Sequence, residues 1–144
     1  MTVAAILKTK GTHVETARPD ATLHTVVWDM RLKGIGALVV SVDGVTVLGL
    51  VSERDIVRAL AEHGPRLLST PVAQLVTAPV VTCTTGESLT AVMARMTHHR
   101  VRPLPVVEGG RLSGIVSIGD VVKQRLDELE LEANILRESL MASH

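Results

Sequence analysis

The chain has 144 residues, and its 15 Lys+Arg balance 15 Asp+Glu, so the formal net charge is zero and no basic footprint for DNA or RNA exists. A single Trp, with no Phe or Tyr, removes the stacking platforms that single-stranded nucleic acid binders use. Cys83 is alone and so cannot form an intrachain disulfide, no apolar run spans a membrane, and Met1–Lys8 lacks the basic start of a signal peptide; a soluble cytoplasmic protein with a Val, Leu, Ile, Ala and Met core is expected. In chain order, His13–Ala17 reads as a short strand. Asp20–Thr22 opens a helix with Leu23, Val26, Val27 and Met30 as its core stripe, ended by Gly34 and Gly36. Ala37–Val42 is a buried strand, Asp43-Gly44 a hairpin turn, and Val45–Val51 the returning strand. Glu53–His63 is a second helix with Ile56, Ala59 and Leu60 inward, stopped by Gly64-Pro65. Thr70-Pro71 then starts a short helical turn with Pro at its first position.

The same order follows again. A strand runs to Thr82, a helix spans Glu87–His99 with Met93 and Met96 in its core, strands Leu104–Val107 and Leu112–Val116 flank Gly109-Gly110, and a long helix ends the chain. Val14–Leu23 aligns with Val80–Leu89, and the same offset sets Val26 on Val92, Met30 on Met96, Ile35 on Val101 and Val40 on Val106. Asp55 meets Asp120 once a single residue is lost between the strands of the second copy. A whole β-α-β-β-α unit is therefore duplicated.

Each unit contains Gly, two apolar residues, Ser, two variable residues and Asp: Gly49–Asp55 and Gly114–Asp120. The Ser falls at a strand-to-helix corner and the Asp in the first helical turn. Free N–H groups and the helix dipole suit that corner to a phosphate, and the carboxylate can accept from a ribose diol. Ser-x-x-Asp before an apolar helix is equally a capping box, which needs no ligand. His98 and His99 are adjacent on a helix and do not converge on a metal; they read as helix-end polar residues. Cys83 reads as a small buried residue. Val122, Leu126, Leu129, Ala133, Leu136 and Leu140 form a heptad seam, open to two readings: an intermolecular contact, or a helix folded back on its own disc. Trp28 and Leu32 lie opposite the core stripe of the first helix and read as an interface.

The duplicated unit, the turn Thr70–Val76, the segment Met96–Val107 and the two Ser-x-x-Asp corners resemble a tandem pair of CBS domains, over about Thr12–Leu126. Ser52–Arg58 and Ser117–Val122 are most similar to small stand-alone bacterial members. The resemblance implies a mixed α/β (α+β) fold: a pseudo-twofold disc, or Bateman module, with a long C-terminal helix. The repeats are expected over 1–66, including an N-terminal helix, and 67–126, with a helical extension over 127–144. It further implies clefts between the repeats for an adenosine ligand (AMP, ADP, ATP, NAD(H) or S-adenosylmethionine), no intrinsic catalysis, no catalytic cofactor, and a homodimer signalling to an unidentified partner protein. Carried onto this sequence, ribose falls to Asp55 and Asp120, and the phosphate side to Ser52 and Ser117. Adenine falls to the backbone of Ile35, Gly36 and Ala37 and of Val101, Arg102 and Pro103, near Thr16 and Thr82. Gly119 stands where the first copy has Arg54, and Arg100 and Arg102 are candidates to replace that cation. A nucleotide sensor is expected; the alternative is a ligand-independent scaffold acting through its C-terminal helix.

Overall fold

A computed structural model of the chain describes residues 1–76, 79–101 and 103–143. Helix α1 (Val3–Lys10) precedes strand β1 (Thr16–Ala17), helix α2 (Leu23–Lys33), strands β2 (Ala37–Val40) and β3 (Gly49–Ser52), and helix α3 (Glu53–His63). Two 3-10 segments, Gly64–Ser69 and Val72–Gln74, lead to α4 (Leu89–His99), β4 (Leu104–Glu108), β5 (Arg111–Val116) and the long α5 (Ile118–Ala142). This is the mixed α/β architecture the repeat implied. β2 lies between β1, parallel to it, and β3, antiparallel; β4 and β5 pair antiparallel.

Local chemistry sets the element ends. The Thr22 hydroxyl accepts from Thr25 N–H at 3.3 Å, and the Ser88 hydroxyl from Ala91 N–H at 3.1 Å, capping α2 and α4. Gly34 closes α2 in the left-handed region at φ +63°. Asp43-Gly44 does not form the tight hairpin expected: β2 stops at Val40 and the strands are joined by an eight-residue-wide excursion, 41–48. Asp43 organises it, its Oδ1 accepting from Val45 and Thr46 N–H at 2.9 and 2.7 Å, bonds that hold its carboxyl well below the usual range. The expected strand ending at Thr82 is reduced to a bridge at Cys83, whose N–H reaches Pro105 O at 3.0 Å. In the first repeat Val39 N–H donates to Glu15 O at 3.3 Å. Pro105 stands at the matching position and has no N–H to give, so the ladder ends there.

The two hydrophobic cores do not follow the sequence repeats. Val3, Ile6 and Leu7 of α1 are buried with Leu89, Val92, Met96, Leu104, Val106 and Val116. Leu67 and Val72 complete the core of Leu23, Val26, Met30, Leu38, Val40 and Val51. Backbone bonds show that these are equivalent docks. Leu23 N–H donates to Thr70 O at 2.9 Å and Leu89 N–H to Met1 O at 3.3 Å. Val72 N–H donates to Ala21 O at 2.7 Å and Val3 N–H to Glu87 O at 3.0 Å. The segment leading into each repeat thus closes the core of the other. The motif glycines allow it: a Cβ on Gly49 would meet Val76 Cβ at 2.6 Å, and one on Gly114 would meet Leu7 Cδ2 at 2.7 Å.

Three residues expected in the core are not there. Val27 and Met93, at matching places in α2 and α4, sit at the rim, as does Leu60 in α3. Each repeat covers its helices with a narrow sheet, so α2 buries Leu23, Val26 and Met30, and α4 buries Leu89, Val92 and Met96, leaving the fourth stripe position outside. Pro71 caps the second 3-10 segment instead of entering it. The first turns of α5 pack on the disc through Val121, Gln124 and Glu128, while the seam residues Val122, Leu126, Leu129, Leu136 and Leu140 are exposed and Ala133 is half-buried.

Candidate functional site

Both corners form complete capping boxes. The Ser52 hydroxyl accepts from Asp55 N–H at 3.2 Å while Asp55 Oδ2 accepts from Ser52 N–H at 3.0 Å. Ser117 and Asp120 repeat this at 3.1 and 2.9 Å. Capping and ligand binding are compatible, because only Oδ2 is used; among the described residues Oδ1 of neither Asp accepts a protein hydrogen bond.

The corners face the opposite repeat, so each cleft is composite. Ser52, Glu53, Arg54, Asp55 and Arg58 line a cavity of about 240 Å³ with Gly36, Leu50, Arg100 and Val101. It continues into a space of about 180 Å³ where Asp55 and Leu50 meet Pro79, Val80, Val81, Val101 and Pro103. Three guanidinium groups, Arg54, Arg58 and Arg100, thus border one cleft. Arg58 was not evident from the motif, since its place one helical turn beyond Arg54 matters only once the opposite wall is known. Arg100 belongs to this cleft and does not replace the cation missing at the second corner. It ends α4 at φ +55° and, among the described residues, is the one non-glycine with positive φ; the first repeat has Gly34 there. A non-glycine held in that conformation is a strained position, of the kind that collects at functional sites.

The second cleft, about 280 Å³, is mostly apolar: Ile35, Gly36, Ala37, Pro103, Ile115 and Ile118, with Ser117 and Lys10 as polar groups. Asp120 does not line it. Lys10 Nζ covers that carboxylate, donating to Asp120 Oδ2 at 2.7 Å and to Ile115 O at 3.0 Å. Burial pushes the Asp120 carboxyl up, but Lys10 and the Ser117 N–H outweigh it and hold the group below its usual range. Gly119 is open, a Cβ there meeting nothing nearer than Ser117 Oγ at 3.7 Å.

Thr16 pairs with Val39 in β1 and does not reach the lining of either cleft. Val80 and Val81 line the first cleft where Thr82 was expected; the Thr82 carbonyl is taken by Arg95 Nη1 at 2.9 Å. Arg102 lies outside the described residues. Burial raises the Cys83 thiol to about 11, so it is not a nucleophile. Among the described residues, no group of three or more His, Cys, Asp or Glu could hold a metal, and no helix is long and apolar enough to cross a membrane.

Comparison with known proteins gives one family. The CBS domain family model matches residues 4–62 and 72–127. The chain is 29% identical over 124 residues to the CBS domain-containing protein YhcV of Bacillus subtilis, covering 86% of this chain and 87% of that protein. It is 31% identical over 135 residues to the mitochondrial CBS domain-containing protein CBSX3 of Arabidopsis thaliana, covering 88% of this chain and 66% of that protein's length. Among solved structures, the CBS-domain protein ATU1752 of Agrobacterium tumefaciens matches with TM-score 0.83 and 40% identity, over 87% of this chain and 99% of that one. The pair of MJ0100, solved with 5′-methylthioadenosine and S-adenosylmethionine, shares the fold with TM-score 0.77 at 21% identity, over 89% and 98%. Because both copies are matched and the structural likeness spans most of the chain, this protein belongs to the CBS domain family, as a tandem pair.

Proposed function

We propose that this chain is an adenine-nucleotide sensor whose two clefts are unequal. CBS pairs are regulatory ligand-binding modules, and stand-alone members are typically not catalytic. The observation that carries the finer reading is the first cleft. Among the described residues it joins a helix N-terminus, a carboxylate oxygen of Asp55 that accepts no protein hydrogen bond, three arginines against the single further carboxylate of Glu53, and the apolar wall Val80, Val81, Val101 and Pro103. Phosphate suits the arginines and the helix end, a ribose diol suits Asp55, and an adenine face suits the apolar wall. AMP, ADP, ATP and NAD(H) share these three parts, and their balance reports cellular energy or redox state. A ligand joining the Ser52–Asp55 corner of one repeat to the Val101–Pro103 wall of the other favours one disc geometry, which a cytoplasmic partner protein reads.

The second part of the reading is a homodimer. With Leu126, Ala133 and Leu140 at a and Val122, Leu129 and Leu136 at d, the flanking g positions include Arg125 and Glu132, and the e positions Glu130 and Arg137. In a parallel pair, Arg125 faces the partner's Glu130 and Glu132 faces the partner's Arg137, both attractive. Trp28, Leu32 and Val57, all exposed, offer the disc a second apolar face. The same helix also supports the scaffold alternative, in which α5 acts without ligand. Calorimetry on ligand-stripped protein with AMP, ATP, NADH and adenosine separates the two. Binding that Asp55→Ala weakens supports the sensor. No binding of any of the four leaves the scaffold.

A further inference from the structure

The two clefts occupy equivalent places but present different groups. Asp55 is part of its cleft's lining, with Pro79 beside it. Asp120 is screened, and Lys10, from the end of α1, occupies the lining instead. The exchange of leading segments explains this. Residues 70–76 and 1–7 dock in the same way, so the chain three residues past Val76 arrives at one cleft as Pro79, and three past Leu7 arrives at the other as Lys10. Lys10 has side-chain exposure of 36% and Asp120 of 25%, so the pair sits at the rim, where the ammonium can swing. Its second bond, to Ile115 O, is to a β5 carbonyl and carries no charge. A lysine at a helix C-terminus is favoured by the dipole, so its charge is kept at this place with or without the Asp120 contact.

We propose that Lys10 sets the specificity of the second cleft: in the free protein it latches Asp120, and an incoming ligand opens the latch only by offering an anionic group that Lys10 can take in exchange. With the ammonium withdrawn from Oδ2, the carboxylate loses its cover and its Oδ1, unbonded among the described residues, is open to a diol. A nucleoside without phosphate must compete with the ammonium and receives nothing in return, so it is rejected here. Gly119, where Arg54 stands in the first copy, leaves Lys10 as the cation of this cleft among the described residues lining it.

The inference rests on the sensor reading, and one experiment distinguishes the two. The full chain carrying Asp55→Asn and Arg54→Ala, which keeps a capping oxygen but removes the first cleft's ribose-facing carboxylate and one of its three guanidinium groups, reports mainly on the second cleft. Adenosine and AMP are titrated by calorimetry, with Lys10 or with Lys10→Met. The two effects have opposite sign: Lys10→Met should tighten adenosine and weaken AMP, each roughly three- to tenfold for a partly exposed charged contact. Lys10→Arg should restore the preference for AMP, which a merely structural defect at the end of α1 would not allow. Equal changes for the two ligands, or no change in either, overturn the latch while leaving the sensor standing. Failure of both ligands to bind the unmutated stripped protein removes the sensor and the latch together.

Discussion

Arg100 combines a backbone cost with a ligand-facing side chain, and the two can be separated by one substitution. Its φ of +55° matches that of Gly34, at +63°, at the end of the equivalent helix. Both ends are closed alike: Ile35 N–H donates to Met30 O at 3.0 Å and Val101 N–H to Met96 O at 3.1 Å. The geometry is therefore fixed by the helix end, and Arg100 conforms to it. An L-residue in this region loses about 1–2 kcal/mol. Replacing it with glycine recovers that but gives back roughly 0.5–1 kcal/mol through the freer unfolded chain. The net gain is about 0.5–1 kcal/mol, a rise in Tm of roughly 2–4 °C for a domain of this size. The side chain is exposed and lines the first cleft, so its deletion removes little packing. Arg100→Gly should raise the melting temperature of the free protein and weaken AMP roughly three- to tenfold while sparing adenosine. Thermal melts and calorimetry on the same preparations read both. A lower melting temperature, or AMP affinity equal to wild type, refutes the argument that the strained position is held for its guanidinium.

Further outcomes follow from other parts of the molecule. Leu129→Glu should shift the protein toward monomer by light scattering after sizing. Glu132→Arg should weaken the dimer and Arg137→Glu in the same chain restore it; an unchanged mass for Leu129→Glu and Trp28→Glu alike removes the dimer as placed. Asp120 has a folded pKa below its unfolded value, so its contribution is present above about pH 4 and is lost as pH falls through the folded value. The protection factors of α1 amides, corrected for the intrinsic pH dependence of exchange, should therefore fall below about pH 4 in wild type and depend less on pH in Lys10→Met. Cys83, buried with its thiol raised to about 11, should resist alkylation at pH 8 until the protein unfolds; rapid native labelling would contradict its placement.

What the sequence revealed was local. Thr22, Ser52 and Ser117 cap the helices their positions announce, because a cap depends on residues three apart, whereas Ser88 caps a helix expected to begin one residue before it, at Glu87. The order of elements was legible because it occurs twice. Lys10 was not, since 110 residues separate it from Asp120 and nothing near Lys10 in sequence hints at the meeting. Arg58 and the crossing of the clefts share that origin: each depends on which repeat faces which. The loss of the strand before Cys83 could have been read, because Pro105 removes the N–H that Val39 supplies, but only after pairing the two repeats residue by residue. Val27 and Met93 fit the helical stripe yet lie at its rim, since periodicity gives a direction and not the width of the sheet beneath it.

The exchanged segments give the pair a physical reason to act as one unit. If each repeat closed its own core, the contact between them would be only cleft walls, and a ligand could draw them together without altering either interior. Here Leu7 packs against Gly114 in the second repeat, and Val76 against Gly49 in the first. Both glycines begin the stretches that end in the corner carboxylates, Gly114 in Asp120 and Gly49 in Asp55. A shift of either corner therefore presses on a segment belonging, in sequence, to the other repeat, across contacts too tight for a methyl group. Close-packed contacts of this kind transmit displacement because they have no void to absorb it. The Leu112 N–H bond to Val45 O, 2.7 Å, ties the wide loop of the first repeat to β5 in the same sense. On the sensor reading proposed above, occupancy of one cleft should therefore be felt at the other, and the unlike cations, Arg54 with its neighbours and Lys10, should make the two responses differ in the ligand charge they require.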